Sequence, residues 1–261
     1  MTSSPTSCPE DRDEGEAGLA GFRSSTVRGV SGAGGWLLAL LTALLLLPVG
    51  ASVVPTVDTG DDPAATGADA QSLPTSGERA ELREQAIMLV VSTTCPQGAR
   101  CGSGFALEVG GDVVVVTNRH VVEGACTTTL RPLGGGEEVA VREVRLAAEA
   151  DVAVLVLDEA VQPVPLASGS EIMLGEDVEV VGFPWGEPTV LSGYARRIEP
   201  GRLVLAMEAD HGASGSPVLD ASGAVIGQLF ARLEDEECCV AMPIDDVVAA
   251  ALAAEPVVVC P

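Results

Sequence analysis

The stretch HGASGSPVLD, residues 211–220, decides how this chain is read. Its small residues suit a tight turn between two strands, since Gly and Ser are ordinary turn formers. They equally suit a loop that holds a reactive hydroxyl, that of Ser214, against backbone amides. The loop alone does not separate the two readings. The separation depends on whether the chain supplies a base, an acid to orient that base, and a scaffold that brings both to Ser214.

The scaffold is legible in short apolar runs on both sides of the loop. IMLVVST (87–93), GFALEV (104–109), DVVVVTN (112–118), TTTLRP (127–132), EVAVREVRL (138–146), VAVLVLD (152–158), DVEVVGF (177–183), TVLSGYARRI (189–198), RLVLAME (202–208), AVIGQLFAR (224–232) and CVAMPI (239–244) are rich in β-branched residues. The turn signals GGD, GGG, EPG and ASG punctuate them. Regular short strands with such turns predict an all-β barrel or sandwich. SGERAELREQA (76–86) reads as a capped helix with Ser76 as N-cap, and DDVVAAALAAE (245–255) as a closing helix. Aromatics make up only 3 % of the chain, so the core must be built from Val, Leu, Ala and Ile.

Ahead of these runs the composition changes three times. Residues 1–28 are polar and acidic and read as disordered. Residues 29–54 carry no charge and contain WLLALLTALLLL (36–47), long enough for a membrane anchor of roughly 20 residues. The alternative is a cleaved signal segment with the cut near Ala51, although its leader would exceed the usual length of about 15–30 residues. Arg23 and Arg28 precede the segment and Asp58, Asp61 and Asp62 follow it. That asymmetry puts the N-terminus in the cytoplasm and the remainder outside. Residues 55–77 form a flexible Pro/Gly/Thr/Ala linker, and 78–261 a single globular unit of two β halves.

The net charge is −24, and all 14 basic residues are Arg. Such a surface repels phosphate backbones, which excludes nucleic acid as a partner. Six of the seven cysteines follow the apolar segment, a distribution that suits disulfides in an oxidising compartment. No spacing of Cys and His suggests a metal, and no cofactor motif is present.

Only two histidines exist. His120 follows a valine strand in VVVVTNRHVVEG (113–124), and His211 sits three residues before Ser214. Asp151 heads the run ADVAVLVL (150–157). The order is therefore His, Asp, Ser. An α/β-hydrolase needs its histidine after the nucleophile, and none follows Ser214. The loop also lacks Gly-x-Ser-x-Gly, because Ser216 stands in the last place.

With those segments in order, the sequence resembles the trypsin-like serine proteases of chymotrypsin fold, closest to the HtrA/Deg group. GSGFALEVGGDVVVVTNRHVVEG (102–124) resembles the strand–turn–strand that ends in the histidine. VGFPWG (181–186), HGASGSPVLDASGAVIGQLFA (211–231) and CVAMPIDDVV (239–248) resemble its later segments. The resemblance implies a two-barrel all-β fold with a short C-terminal helix, and a triad of His120, Asp151 and Ser214. It implies an oxyanion hole from the amides of Gly212 and Ser214, and extended peptides or unfolded proteins as substrates. It places Met207, Glu208, Leu229 and Phe230 around the first specificity pocket and suggests a Cys101–Cys126 bridge. The chain ends 47 residues past Ser214, so no PDZ domain is expected. The rival function is a silent protease-fold scaffold; an esterase with the same triad is a third.

Overall fold

Two antiparallel β systems follow one another in this computed structural model, which describes residues 75–94, 98–158, 160–161, 163–169, 171–233 and 238–257. The first holds β1 (Ile87–Thr94), β2 (Gly98–Val109), β3 (Asp112–Thr117), β4 (Thr127–Pro132), β5 (Val139–Ala140), β6 (Glu143–Leu146) and β7 (Ala153–Val156). The second holds β8 (Asp177–Gly182), β9 (Thr189–Glu199), β10 (Arg202–Ala206), β11 (Pro217–Leu219), β12 (Val225–Leu233) and β13 (Cys238–Pro243). Helix α1 (Ser76–Ala86) precedes them, the single turn α2 (Arg119–Val122) follows β3, and α3 (Ile244–Leu252) follows β13. The short β14 (Glu255–Pro256) then returns to the first system.

The second system closes in the order β10-β13-β12-β11-β8-β9. The first is an eight-stranded sheet ordered β14-β6-β7-β3-β2-β1-β4-β5. Only residues 141 and 142 separate β5 from β6 along the chain, yet these strands lie on opposite sides of the sheet order. The amide of Val141 donates to Thr128 on one side, and that of Arg142 to Val156 on the other. One bent segment thus stitches the two edges and rolls the sheet. The rolled shape is visible in packing, because Leu130 of β4 and Val144 of β6 join one cluster with Met88, Val115 and Leu155.

Both faces of β3 are buried over Val114–Val116, and this explains its unbroken valines. Val115 points into the rolled interior. Its neighbours Val114 and Val116 point outward into a second cluster with Ile87, Leu89 and Phe105. That outer cluster also takes Val181, Phe183, Leu219 and Val225 from the second system and Ile244, Val247 and Ala251 from the C-terminal helix. It is the joint between the barrels. The second barrel has its own interior around Val180, Leu205, Val218 and Ala241. Strands buried on both sides read as continuous apolar runs rather than alternating ones. This is the two-barrel arrangement expected from the sequence, with the short helix at its C-terminal end.

Three expectations change on inspection. The N-cap of α1 is Thr75 rather than Ser76, and Thr75 and Glu78 form a reciprocal capping box. The sequence offers two adjacent hydroxyl residues, and only Thr75 places a carboxylate at the third helical position. The expected Cys101–Cys126 bridge is absent: Cys101 is disulfide-bonded, yet not to Cys126, whose thiol is free. Cys101 lies on β2 opposite Val91, whereas Cys126 precedes β4 with its amide on Thr93. Strand β1 therefore runs between them. Two strand spacings are about 10 Å, beyond the roughly 7 Å that a disulfide spans. Finally, β14 was not foreseen; it pairs with β6 and ties the C-terminal end to the first barrel.

Residues 1–74 lie outside the described residues, and with them the acidic N-terminus, the segment 29–54 and most of the linker. Among the described residues no helix is long and apolar enough to cross a membrane.

The fold makes two predictions. The amide and hydroxyl of Thr75 hold the Glu78 carboxyl below its ordinary pKa. A carboxylate whose folded pKa is depressed stabilises above its unfolded pKa, and that contribution is lost as pH falls through the folded value. Acid should therefore fray α1 before the barrels unfold, measured as loss of Arg79–Arg83 amide protection in hydrogen exchange. Phe105 is fully buried in the joint. Phe105→Ala should cost about 3–5 kcal/mol in urea unfolding, with the transition still cooperative.

Candidate active site

The candidate base sits on the single turn α2. Ser92 on β1 donates its hydroxyl to the Val121 carbonyl of that turn. Arg100 on β2 reaches the carbonyls of His120 and Glu123 at 3.4 and 3.3 Å. Arg119 binds the Glu123 carboxylate and donates to the carbonyls of Ala147 and Ala148 at 3.1 and 3.3 Å. Hydrogen bonding to Glu123 pushes the Arg119 pKa up, so its charge is secure. The turn is thereby tied to the segment 147–151, which carries the candidate acid.

His120 and Asp151 meet through two contacts. The Asp151 carboxylate accepts the His120 backbone amide at Oδ1 (3.0 Å) and faces Nδ1 of the imidazole with Oδ2 (2.7 Å). Both oxygens of one carboxylate are thus used by one residue, which fixes ring position and the Nδ1–H tautomer together. The remaining ring nitrogen, Nε2, is left to act on something else. The His120 side chain is half exposed, so the pair is open to solvent on one side.

Ser214 is presented by a loop of two successive turns. Ala213 donates its amide to Asp210, and Ser216 to Ala213, at 3.1 and 3.0 Å. The loop is locked onto β12, with the Gly215 amide on Leu229 and the Leu229 amide on Ser216. It is also locked onto the first barrel through Ser103, a fully buried residue of β2. The Ser103 amide donates to the Ser214 carbonyl at 2.8 Å. Its hydroxyl donates to the Gly212 carbonyl at 2.8 Å and accepts the Phe183 amide at 2.9 Å. Its own carbonyl accepts the Thr117 hydroxyl at 2.7 Å. The sequence reading missed Ser103. Its only signal was a serine between two glycines in CGSGF, one short stretch before the histidine strand.

Close approach at this dock requires glycine. Gly215 has φ +87°, and a Cβ there would lie 2.0 Å from the Ser103 carbonyl oxygen. Gly102 is bounded on one side by Val121, the neighbour of His120, and on the other by the Ser214 carbonyl. The two candidate residues therefore flank the same point on β2. No hydrogen bond joins the Ser214 hydroxyl to His120 among the described residues. Such bonds are often long in empty sites and tighten when substrate fills them.

The peptide between His211 and Gly212 has a defined direction. The His211 carbonyl accepts the Trp185 amide at 2.7 Å, and Trp185 is the one non-glycine residue with positive φ among the described residues. A trans peptide points its N–H opposite to its C=O, so the Gly212 amide faces away from Trp185. Among the described residues, the amides of Gly212 and Ser214 donate to nothing, although those of Ala213, Gly215 and Ser216 are all used. Two free donors beside a serine can hold a developing anion.

The four residues assigned to a specificity pocket separate. Met207 and Leu229 are buried in the interior of the second barrel. Glu208 is exposed and Phe230 half-buried. A cavity of about 590 Å³ opens elsewhere, between α1 and the second barrel, lined by Arg79, Arg83, Glu179 and Asp220 among others. No group of His, Cys, Asp and Glu among the described residues is placed to hold a metal.

Residues 102–227 match the family model of the trypsin-like peptidase domain. The chain is 32 % identical over 162 residues to Protease Do-like 1, chloroplastic, of Arabidopsis thaliana, a match that covers 56 % of this chain. The chain spans 36 % of the length of that relative. The chain is similar in structure to the Rv3671c protease of M. tuberculosis in its active form, at 24 % identity and a TM-score of 0.58 over 80 % of this chain and 98 % of that one. It is also similar to the HtrA-type protease AlgW with tripeptide, at 22 % identity and a TM-score of 0.58 over 67 % and 62 % of the two chains. At these identities the two structures speak for the two-barrel fold alone.

Ser216, two residues past Ser214, is fully buried. Space for it comes from Gly182 on β8: a Cβ there would lie 2.0 Å from the Ser216 hydroxyl and 2.6 Å from that of Ser103. Gly182→Ala should therefore displace the Ser214 loop and lower labelling of Ser214 by an active-site phosphonate at least tenfold. Ser216→Gly in the same chain removes the nearer clash and should restore part of it. Equal labelling of Gly182→Ala and wild type would show that the two hydroxyls do not set the loop.

Proposed function

We propose that the chain is a serine endopeptidase that cleaves peptide bonds through His120, Asp151 and Ser214. The reading rests on one observation above the others: the Asp151 carboxylate holds His120 at both its amide and Nδ1. That arrangement orients an imidazole for proton transfer and stabilises the imidazolium that forms.

The chemistry then follows from the groups at hand. The Ser214 oxygen bonds to the scissile carbonyl carbon, and its proton passes to His120 Nε2. The carbonyl oxygen becomes an anion and takes the amides of Gly212 and Ser214, each worth roughly 3 kcal/mol in comparable sites. His120 gives its proton to the departing amine nitrogen as the C–N bond breaks, leaving an acyl group on Ser214. Water then bonds to the acyl carbon as His120 takes its proton, and the ester bond breaks with the proton returned to Ser214.

The substrates fitting this reading are extended peptides and unfolded proteins, in quality control or regulated proteolysis, and Glu208 and Phe230 are the pocket candidates that reach solvent. Residues 29–54 would anchor the chain, with the peptidase domain outside the cytoplasm; a signal segment cut near Ala51 is the alternative. Both uses of that uncharged segment are drawn from the sequence.

The test is labelling of the full chain with a fluorophosphonate, beside cleavage of unfolded casein. Wild type should label and cleave. Ser214→Ala should lose both, and His120→Ala and Asp151→Asn should each lower casein cleavage by at least about a thousandfold. A folded wild type inert to both reagents across several pH values would instead favour the silent scaffold.

A further inference from the structure

Three of the four buried side-chain polar atoms without a protein partner among the described residues lie around the site just described: Asn118 Oδ1, Ser216 Oγ and Gln228 Nε2. Asn118 and Gln228 are both fully buried. They come from different barrels and touch each other. Asn118 Nδ2 donates to the Asp151 carbonyl at 2.9 Å and to Gln228 Oε1 at 3.5 Å. Neither residue is used by the proposed chemistry.

Their positions in the chain give the contact its meaning. Asn118 lies two residues before His120 and is the residue from which the turn α2 starts. Gln228 lies one residue before Leu229, whose amide and carbonyl hold Ser216 and Gly215 of the Ser214 loop. Gln228 itself is fixed in the closed barrel, paired with Pro217 on one side and Met242 on the other. The contact thus joins the strand that anchors the candidate nucleophile to the main chain of the candidate acid and to the start of the turn bearing the candidate base.

We propose that Gln228 and Asn118 are positioning residues: a buried amide strut across the barrel joint that holds the Asp151 main chain under His120. The inference rests on the hydrolase reading for its purpose, though not for its geometry. Two buried amides that each pair through one polar end contribute little to stability, and apolar replacements of the same shape are often neutral or better. A strut kept for stability alone would be replaceable by packing. Its exposed consequence is at the site, where His120 and Asp151 are open to solvent and need their backbones fixed from below.

The test exploits the presence of only two histidines in the chain. In the full-length protein, the proton between His120 Nδ1 and Asp151 gives a low-field NMR resonance, assigned by its persistence in His211→Gln. Gln228→Met keeps the side-chain shape and removes both polar atoms. It should speed exchange of that proton by about tenfold or abolish the resonance, and lower kcat on casein peptides about tenfold at unchanged KM. Its melting temperature should stay within a few degrees of wild type or rise. Should Gln228→Met fail to fold, Asn118→Ser reports on the same link and should give the same acceleration. Where both fold, the double variant should exchange no faster than Asn118→Ser alone, because the two act through one contact. A low-field proton unchanged in a folded Gln228→Met, one missing from wild type, or additive effects in the double variant would overturn the strut. A wild type inert to fluorophosphonate that still loses the proton in Gln228→Met would remove the hydrolase reading and leave the strut standing.

Discussion

The hydrogen bond from the Ser103 amide to the Ser214 carbonyl is the contact on which the site depends. It joins the middle of a strand in the first barrel to the loop of the second. The same serine also holds Gly212 and Phe183 through its hydroxyl and receives Thr117 at its carbonyl. One buried residue therefore sets the distance of the loop from the His120 strand and anchors the Gly212 carbonyl. Buried polar groups are satisfied or costly, so a loop displaced from Ser103 would leave several of them stranded at once. That gives the loop one seated position.

The barrels are held together by apolar packing and aligned by polar contacts. The joint cluster draws on the outer face of the first sheet, on β8, β11 and β12, and on α3. Packing of this kind is non-directional; it fixes that the barrels meet and leaves their register loose at the scale of a hydrogen bond. Ser103 on one side and Asn118 with Gln228 on the other supply direction. The C-terminal end adds a mechanical tie, since α3 packs into the joint and β14 pairs with the edge of the first sheet.

Accessibility at the site fits the same division. Asp151 spends both carboxylate oxygens on His120, a residue whose side chain remains half exposed. A solvent-facing side-chain pair is weak by itself. Its geometry is instead imposed by the main-chain contacts beneath it: Arg119 to Ala147 and Ala148, Asn118 to Asp151, and Ser92 to Val121.

The valine run DVVVVT, the loop HGASGSPVLD and the order His120, Asp151, Ser214 made the fold and the candidate residues legible in the sequence. Strand propensity and turn glycines act over a few residues, and chain order needs no coordinates. The contacts that assemble those residues were not legible. Ser103 looks like any small strand residue until the Ser214 loop is laid against it. Met207 and Leu229 look like pocket candidates until barrel closure turns them inward. Cys101 and Cys126 look like partners until β1 is seen to run between them. By itself the sequence determined which segments become strands and which side chains could do chemistry, because those follow from local spacing. Tertiary structure alone decided which groups meet: pairing across 31 residues at His120 and Asp151 is set by β3 lying beside β7 in the first sheet, and pairing across 110 at Asn118 and Gln228 by how that sheet packs on the closed barrel.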